Sequence, residues 1–391
     1  MCRFWITIGN ESVNCFDTLN LKRSLDSLYL NAGPDNQNLH ISDSCLAYHS
    51  RLAIQDLSSN SNQPLTNDEG EIFVFNGEIF NWPELVKVFP KELFPICPKS
   101  DSQFLFSVLV NNQFDLIATK LRGFFSFVFF SPKKKILSYA RDCFGVKPLY
   151  FLNINNKFPI LASTSESIMI HPKVNKIIDA KSIKLYMKYG FLPYESSIYS
   201  GVKQIEPGIF TEIHLNDDFS ISDKKKTLRF NYYKTLKESR VNFGTREFSS
   251  EKFKEVLKES CQTRLLSDVP TALLLSGGLD SNLLAWTYSD LLDTKLPCFT
   301  LAFDESDIND ESIIASQTCS KLNLDHHIIN FDDIDISKSL FSIISKLDQP
   351  FIDTSIIPTT IICDAVSKSY KVAISADGAD ESFGGYTKYR L

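Results

Sequence analysis

Two short stretches of this 391-residue chain carry residue types suited to covalent or phosphate chemistry. The first is the start, Met1-Cys2-Arg3-Phe4-Trp5-Ile6. A cysteine on a freed N-terminus can pass its thiol proton to its own α-amino group, whose ordinary pKa of roughly 7.7–8.0 suits that transfer near neutrality. Cysteine is also small enough for an aminopeptidase to remove Met1. The second stretch is Ser276-Gly277-Gly278-Leu279-Asp280-Ser281, directly after the apolar run Ala272-Leu273-Leu274-Leu275. Its glycines let backbone N–H groups turn inward, and a helix starting near Asp280 aims its positive end at the turn, an arrangement that binds phosphate. Asp280 adds a carboxylate able to hold Mg²⁺ against phosphate oxygens. No lysine follows at the Walker spacing, which excludes a P-loop kinase or GTPase.

A cysteine nucleophile needs oxyanion donors and groups that fix its substrate. YHSRLAIQDL supplies Arg51, a bidentate clamp for a carboxylate. VFNGEIFNW supplies Asn76, Gly77 and Glu78 at the end of an apolar strand, an amide and a backbone N–H suited to an oxyanion. PKSDSQFLF places Asp101 at a helix start, where it can meet an ammonium group. Each residue has a plainer alternative: Arg51 in a surface ion pair, Asn76-Gly77 as a hairpin turn, Asp101 as a helix cap. A second acidic glycine turn, Ser375-Ala376-Asp377-Gly378-Ala379-Asp380-Glu381, follows the apolar run Val372-Ala373-Ile374. In a parallel sheet two such strand ends converge on one nucleotide, with Asp280 and Asp380 as co-ligands of a magnesium ion. His326 and His327 are adjacent, so they point apart on a strand, and with no third ligand nearby a structural role is expected.

The elements that must position these residues divide the chain. In residues 1–215, EIFVFNGEIF, GFFSFVFF, KILSYARD and GIFTEIHL read as strands, while RSLDSLYL and DSQFLFSVLV have helical spacing. That mixture predicts a layered α+β domain. Residues 216–248 open on NDDFSISDKKKTLRF, polar enough for a solvated connection or an exposed hairpin. Residues 249–391 begin with a helix capped by Ser249 or Ser250, then alternate strand and helix through PCFTLAF and KVAISA. This predicts an α/β domain with an open, mostly parallel sheet.

Composition narrows the partners. A net charge of −6 gives no reason to expect nucleic acid or an anionic membrane. The 9 cysteines are odd in number and form no C-x-x-C pair, so neither a disulfide framework nor a zinc site is suggested. Reduced thiols, no apolar run near ~20 residues and no signal-peptide order at the start give an expected cytoplasmic location.

Together SGGLDS, DQPFIDTSIIPT and ISADGADESFGGY resemble the synthetase half of glutamine-dependent asparagine synthetases, an ATP-pyrophosphatase domain. RLAIQDLS, NQPL, FNGEIFN, SDSQ, GFFSFVFF and ARDCFGVKPLY resemble a class II glutamine amidotransferase domain, an N-terminal-nucleophile fold with αββα layering. The resemblance implies that Cys2 attacks glutamine's side-chain amide while Asn76 and Gly77 hold the oxyanion. It also implies that Arg51, Ile54, Asn76, Glu78 and Asp101 bind glutamine. ATP would be cleaved to AMP and pyrophosphate as a carboxylate, by default aspartate, becomes an acyl-adenylate. On this mapping Leu274, Leu301, Ser375 and Ala376 line the adenosine, Ser276 to Ser281 hold pyrophosphate, and Asp377 lies at the acyl-adenylate. The expected small molecules are glutamine, ATP with Mg²⁺ and the acceptor; the assembly to test is a homodimer. Narrower alternatives are a glutaminase alone or a binding protein.

Three departures qualify the resemblance. Arg3 stands where the family has a small residue, and would crowd the nucleophile or reach the substrate. Asn31-Ala32-Gly33-Pro34-Asp35 lacks the basic residue of the family's H-R-G-P-D. The family's further helical segment, with a lysine at the pyrophosphate, is not among these residues, so the ATP domain is expected to be short.

Overall fold

The computed structural model describes residues 1–229, 249–303, 311–331 and 336–390. They form two compact units. The first comprises Met1–Arg246 together with a returning segment, Asp348–Ile352; the second comprises Glu247–Leu347 and Asp353–Leu391.

The first unit contains strands β1 (Arg3–Ile8), β2 (Asn36–Ser42), β3 (Cys45–Arg51), β4 (Leu65–Thr66), β5 (Ile72–Ile79) and β6 (Gly123–Ser131). It continues with β7 (Ile136–Arg141), β8 (Tyr150–Ile154), β9 (Phe158–Ala162), β10 (Lys203–Gln204), β11 (Ile209–Leu215) and β12 (Ile221–Arg229). They build two six-stranded sheets, in the orders β10-β8-β9-β1-β3-β2 and β12-β11-β7-β6-β5-β4. Alternation along the strands explains the layering. On β1, Phe4, Ile6 and Ile8 join Ala47 of β3 and Val74 and Val128 of the other sheet in one core between the sheets. Trp5, Leu46 and Tyr48 face outward onto Leu21 and Leu25 of helix Thr18–Leu28. Phe73, Phe75 and Phe127 leave the second sheet on its opposite side, against Leu85 of helix Trp82–Val88 and Phe104 and Leu105 of helix Asp101–Val110. The layers therefore run helix, sheet, sheet, helix, as the resemblance implied.

Of the two readings of the polar stretch that opens 216–248, a solvated connection or an exposed hairpin, its first part forms the hairpin. Ile221–Arg229 is an edge strand paired antiparallel with β11, and Lys224, Lys225 and Lys226 on it are exposed. Lysines on an edge discourage pairing with another chain, and the same lysines also suited the reading as a solvated connection. Residues 230–248 lie outside the described residues.

The second unit carries β13 (Thr271–Leu274), β14 (Cys298–Ala302), β15 (His326–Asn330) and β16 (Val372–Ile374) in a parallel sheet ordered β15-β14-β13-β16. Helix Ser250–Thr263 is capped by the Ser249 hydroxyl, which accepts from Lys252 N. Chain order runs outward from β13 to β15, then returns to place β16 on the other side of β13. The order in which the chain adds strands thus reverses between β13 and β16, the place where ligands bind in open parallel sheets.

Candidate active site

The pairing of β1 with β3 sets the position of the N-terminus. Arg3 is opposite Ser50, so Cys2, just before β1, meets Leu52, just after β3. Leu52 N donates to Cys2 Sγ at 3.3 Å, and the thiol lies 3.7 Å from Leu52 O. Burial pushes the Cys2 thiol up. The Leu52 amide and the charges of the N-terminus and Lys147 oppose that rise, while Glu78 adds to it. Burial likewise holds the Met1 α-amino group below its ordinary value, with Arg3 and Lys147 adding to the effect. Arg3 shares the Trp5 face of β1, away from the face of Phe4. Its charge acts on Tyr29 and Tyr150 as well as on the N-terminus and Lys147.

Asn76 and Gly77 sit inside β5, opposite Ser126 and Phe125 of β6, not in a hairpin turn. Gly77 has φ +150, and a Cβ there would lie 2.1 Å from Phe124 O and 2.5 Å from Phe125 Cα. Only glycine permits this approach of the two strands. Asn76 is 1% exposed, and its Nδ2 is buried without a hydrogen-bond partner. An orphaned donor of this kind costs about 1–3 kcal/mol, which an incoming oxyanion would recover.

Glu78 and Asp101 form a buried carboxylate pair. Burial raises both, and the neighbouring Asp101 charge raises Glu78 further. Asp101 Oδ2 accepts from Ile79 N at 2.9 Å and Oδ1 from Ser102 N at 2.7 Å, so it ties the end of β5 to its helix. Ser100 caps that helix, accepting from Gln103 N, which removes the reading of Asp101 as the cap. Lys147, itself lowered by burial, places a positive charge near both Glu78 and Cys2.

Arg51 is buried, and its terminal nitrogens are engaged by the loop that follows β3. Nη1 donates to Ser58 O at 2.8 Å and Asn62 Oδ1 at 2.7 Å; Nη2 donates to the carbonyls of Gln55 and Asp56. The surface ion pair is therefore not what forms: in this structure the guanidinium braces the loop containing partly buried Ile54. Three contributors went unrecognised in the sequence. Gln55 donates to Glu78 and accepts from Trp82 Nε1 at 2.8 Å. Gln63 accepts from Phe75 N at 2.7 Å, next to Asn76. Lys147 lies in ARDCFGVKPLY. Their only sequence signal was membership of the recurring segments RLAIQDLS, NQPL and ARDCFGVKPLY; their roles depend on partners distant in the chain.

The glutamine amidotransferase domain family matches residues 1–223, and the asparagine synthase family matches residues 252–391. The chain belongs to the glutamine-hydrolysing asparagine synthetase family. Asparagine synthetase [glutamine-hydrolyzing] 1 of Bacillus subtilis is 29% identical over 380 residues, covering 96% of this chain and 57% of that protein. Amidase chry2 of Gibberella zeae is 28% identical over 410 residues, covering 95% of this chain and 56% of its own length. The chain thus spans little more than half the length of these family members.

In the second unit the two family turns follow neighbouring strands, since Leu273 of β13 is level with Ile374 of β16. Leu274 ends β13, Leu301 lies in β14, and Ser375-Ala376 follow β16, all at the carboxyl side of the sheet. Helix Leu279–Trp286 starts one residue earlier than expected. The Ser276 turn closes on itself: Ser276 N donates to Ser281 Oγ at 3.2 Å and Gly278 N to Ser276 Oγ at 3.1 Å. A phosphate would take over these amides. A Cβ on Gly277 would lie 2.6 Å from Glu311 O, so the turn tolerates no side chain there. Asp377 Oδ2 accepts from Ser375 Oγ at 2.7 Å. Among the described residues no group of three or more His, Cys, Asp or Glu gathers as a metal cage. Asp280 and Asp380 each lie in the first turn of the helix that follows one of the two turns, Leu279–Trp286 and Ala379–Phe383. The histidines are structural: His326 Nε2 pairs with Thr300 Oγ1 at 2.8 Å, and His327 stacks on Phe299. No helix among the described residues is long and apolar enough to cross a membrane.

Proposed function

We propose that the chain is a glutamine-dependent amidotransferase that uses ATP to activate a carboxylate. The observation carrying the first half is the buried, unpartnered Asn76 Nδ2 beside Gly77, on the strand that continues to Glu78. With Met1 removed, the Cys2 amine takes the thiol proton and Sγ attacks the side-chain carbonyl carbon of glutamine. The oxyanion accepts from Asn76 Nδ2 and the Gly77 N–H. Ammonia leaves with the transferred proton, and water then cleaves the thioester to release glutamate and the thiol. Glu78 and Asp101 face the substrate's ammonium group. Arg51 Nε, with Ile54 backbone, meets its carboxylate while the terminal guanidinium nitrogens keep the loop in place.

In the second unit Leu274, Leu301, Ser375 and Ala376 receive adenosine, and Ser276, Gly277, Gly278 and Ser281 receive the phosphates. Asp280 and Asp380 would hold Mg²⁺, which neutralises phosphate charge when bound. The acceptor carboxylate attacks the α-phosphorus, pyrophosphate leaves, and ammonia displaces AMP from the acyl carbon near Asp377. Aspartate, giving asparagine, is the first acceptor to test. Relatives of near-equal identity bear the names asparagine synthetase and amidase, so other carboxylates belong in the same assay.

The test is Cys2→Ala. Glutamate release from glutamine should vanish, while AMP formation with ammonium chloride and the acceptor continues. Undiminished glutaminase in that variant overturns the assignment. Glutamate release without AMP under every acceptor tried would leave the narrower glutaminase reading.

A further inference from the structure

Residues Asp348–Ile352 pack with the first unit, although the chain on both sides of them belongs to the second. This excursion is the DQPFI part of a motif to which neither half-reaction gives a role. The Asp348 carboxylate accepts from Ser165 N at 2.9 Å, Ser165 Oγ at 3.0 Å and Glu166 N at 2.9 Å. Gln349 accepts from Ile198 N at 2.8 Å and donates to Ser165 Oγ. Five hydrogen bonds therefore fasten two consecutive side chains, four of them to one turn.

That turn leads back to the nucleophile strand. Phe4 N donates to Ser163 Oγ at 3.0 Å, and Ser163 N donates to Phe4 O at 2.9 Å. The Tyr29 hydroxyl donates to the same Phe4 carbonyl at 3.3 Å and meets Thr164 Oγ1 at 3.2 Å. Residues 163–166 thus hold β1 on one side and the 348–349 pair on the other. Arg3, between Cys2 and Phe4, acts electrostatically on Tyr29 and Tyr150, two of the tyrosines on which Asp348 also acts.

We propose that Asp348 and Gln349 are positioning residues for the Cys2 nucleophile, acting through the 163–166 turn on the start of β1. The proposal rests on Cys2 being the glutaminase nucleophile. Among the described residues the Cys2 side chain is held only by the Leu52 amide and carbonyl, so its placement depends on the strand that follows it. Loosening the turn lets Phe4, and with it Sγ, shift relative to Asn76.

The test uses the full chain, measuring glutamate release and covalent labelling of Cys2 by a diazo-ketone glutamine analogue. Asp348→Ala is expected to lower kcat about tenfold with KM for glutamine within about twofold, because even ~1 Å of misplacement costs on the order of a hundredfold. Labelling slows in proportion. Asp348→Asn keeps one acceptor oxygen and should fall between. Thermal unfolding of the same samples reports how much protein is folded. Gln349→Ala, which leaves the Asp348 bonds intact, gives a milder reading, a roughly two- to threefold loss on the same scale, should Asp348→Ala not fold. A purely structural role lowers the melting temperature while kcat per folded molecule stays at the wild-type value. That result in Asp348→Asn and Gln349→Ala overturns the proposal. A wild-type chain that neither hydrolyses glutamine nor labels at Cys2 overturns the reading of Cys2, and this proposal with it.

Discussion

Asn76 separates stability from activity more cleanly than any other residue of the first unit. Its Nδ2 has no partner among the described residues, so deleting the amide removes an unsatisfied donor rather than a hydrogen bond. Asn76→Ala should therefore lower glutaminase kcat by about 10²–10³, the scale of losing one oxyanion donor. Its melting temperature should stay within about 3 °C of wild type, a shift corresponding to no more than about 1 kcal/mol. Steady-state kinetics and calorimetry on one preparation check both halves. Glu78 gives the opposite trade. It and Asp101 have raised carboxyl pKa values in the fold, from burial first, with the Asp101 charge raising Glu78 further. The native pair binds more protons than the unfolded chain above about pH 4, so its contribution to stability falls as pH rises from there. Glu78→Gln should flatten that decline and raise the melting temperature at pH 7 by about 2–4 °C, corresponding to relief of about 1 kcal/mol. KM for glutamine should rise in the same variant. A pH series of melting curves decides the first point; an unchanged slope contradicts it.

Gly77 and Gly277 do the same work for different elements, letting a neighbouring backbone come where a methyl group would stand. Gly77→Ala must displace the Phe124 carbonyl or the β5–β6 register, at a cost of roughly 2–4 kcal/mol from strain and overpacking. Chemical denaturation should show that loss together with reduced glutaminase. The same residues show what the sequence could tell. Strands β5, β6, β7 and β11 were legible because aromatic and β-branched residues alternate along them, and each landed where the pattern put it. Asn76-Gly77 looked equally like a turn, because the requirement for glycine comes from β6, about fifty residues later. Strand β12 was one of two readings, since its edge lysines suit an exposed hairpin and a solvated connection equally. Arg51 was legible as a charge needing partners, but four loop acceptors had no collective signal in sequence. The contact between Asp348 and Ser165 spans 183 residues, and no local periodicity announces it.

At the scale of the whole molecule, two units with separate cores should unfold in two calorimetric transitions. A ligand stabilises only the state that binds it, so Mg²⁺ with ATP at a hundred times its Kd should add about 2.7 kcal/mol to one transition. A glutamine analogue held in the first unit should move the other. A single transition shifted equally by both ligands would contradict independent cores.

The division between the two units is not a division of the chain, because Asp348–Ile352 returns to the first fold from within the second. A gene split at the connection near residue 248 would yield an N-terminal product lacking five residues of its own fold. Recombination that exchanges one half for a relative's would carry a mismatched DQPFI segment with it. The first fold is thus completed from far along the chain, and a change at Ser165 bears directly on a partner 183 residues away.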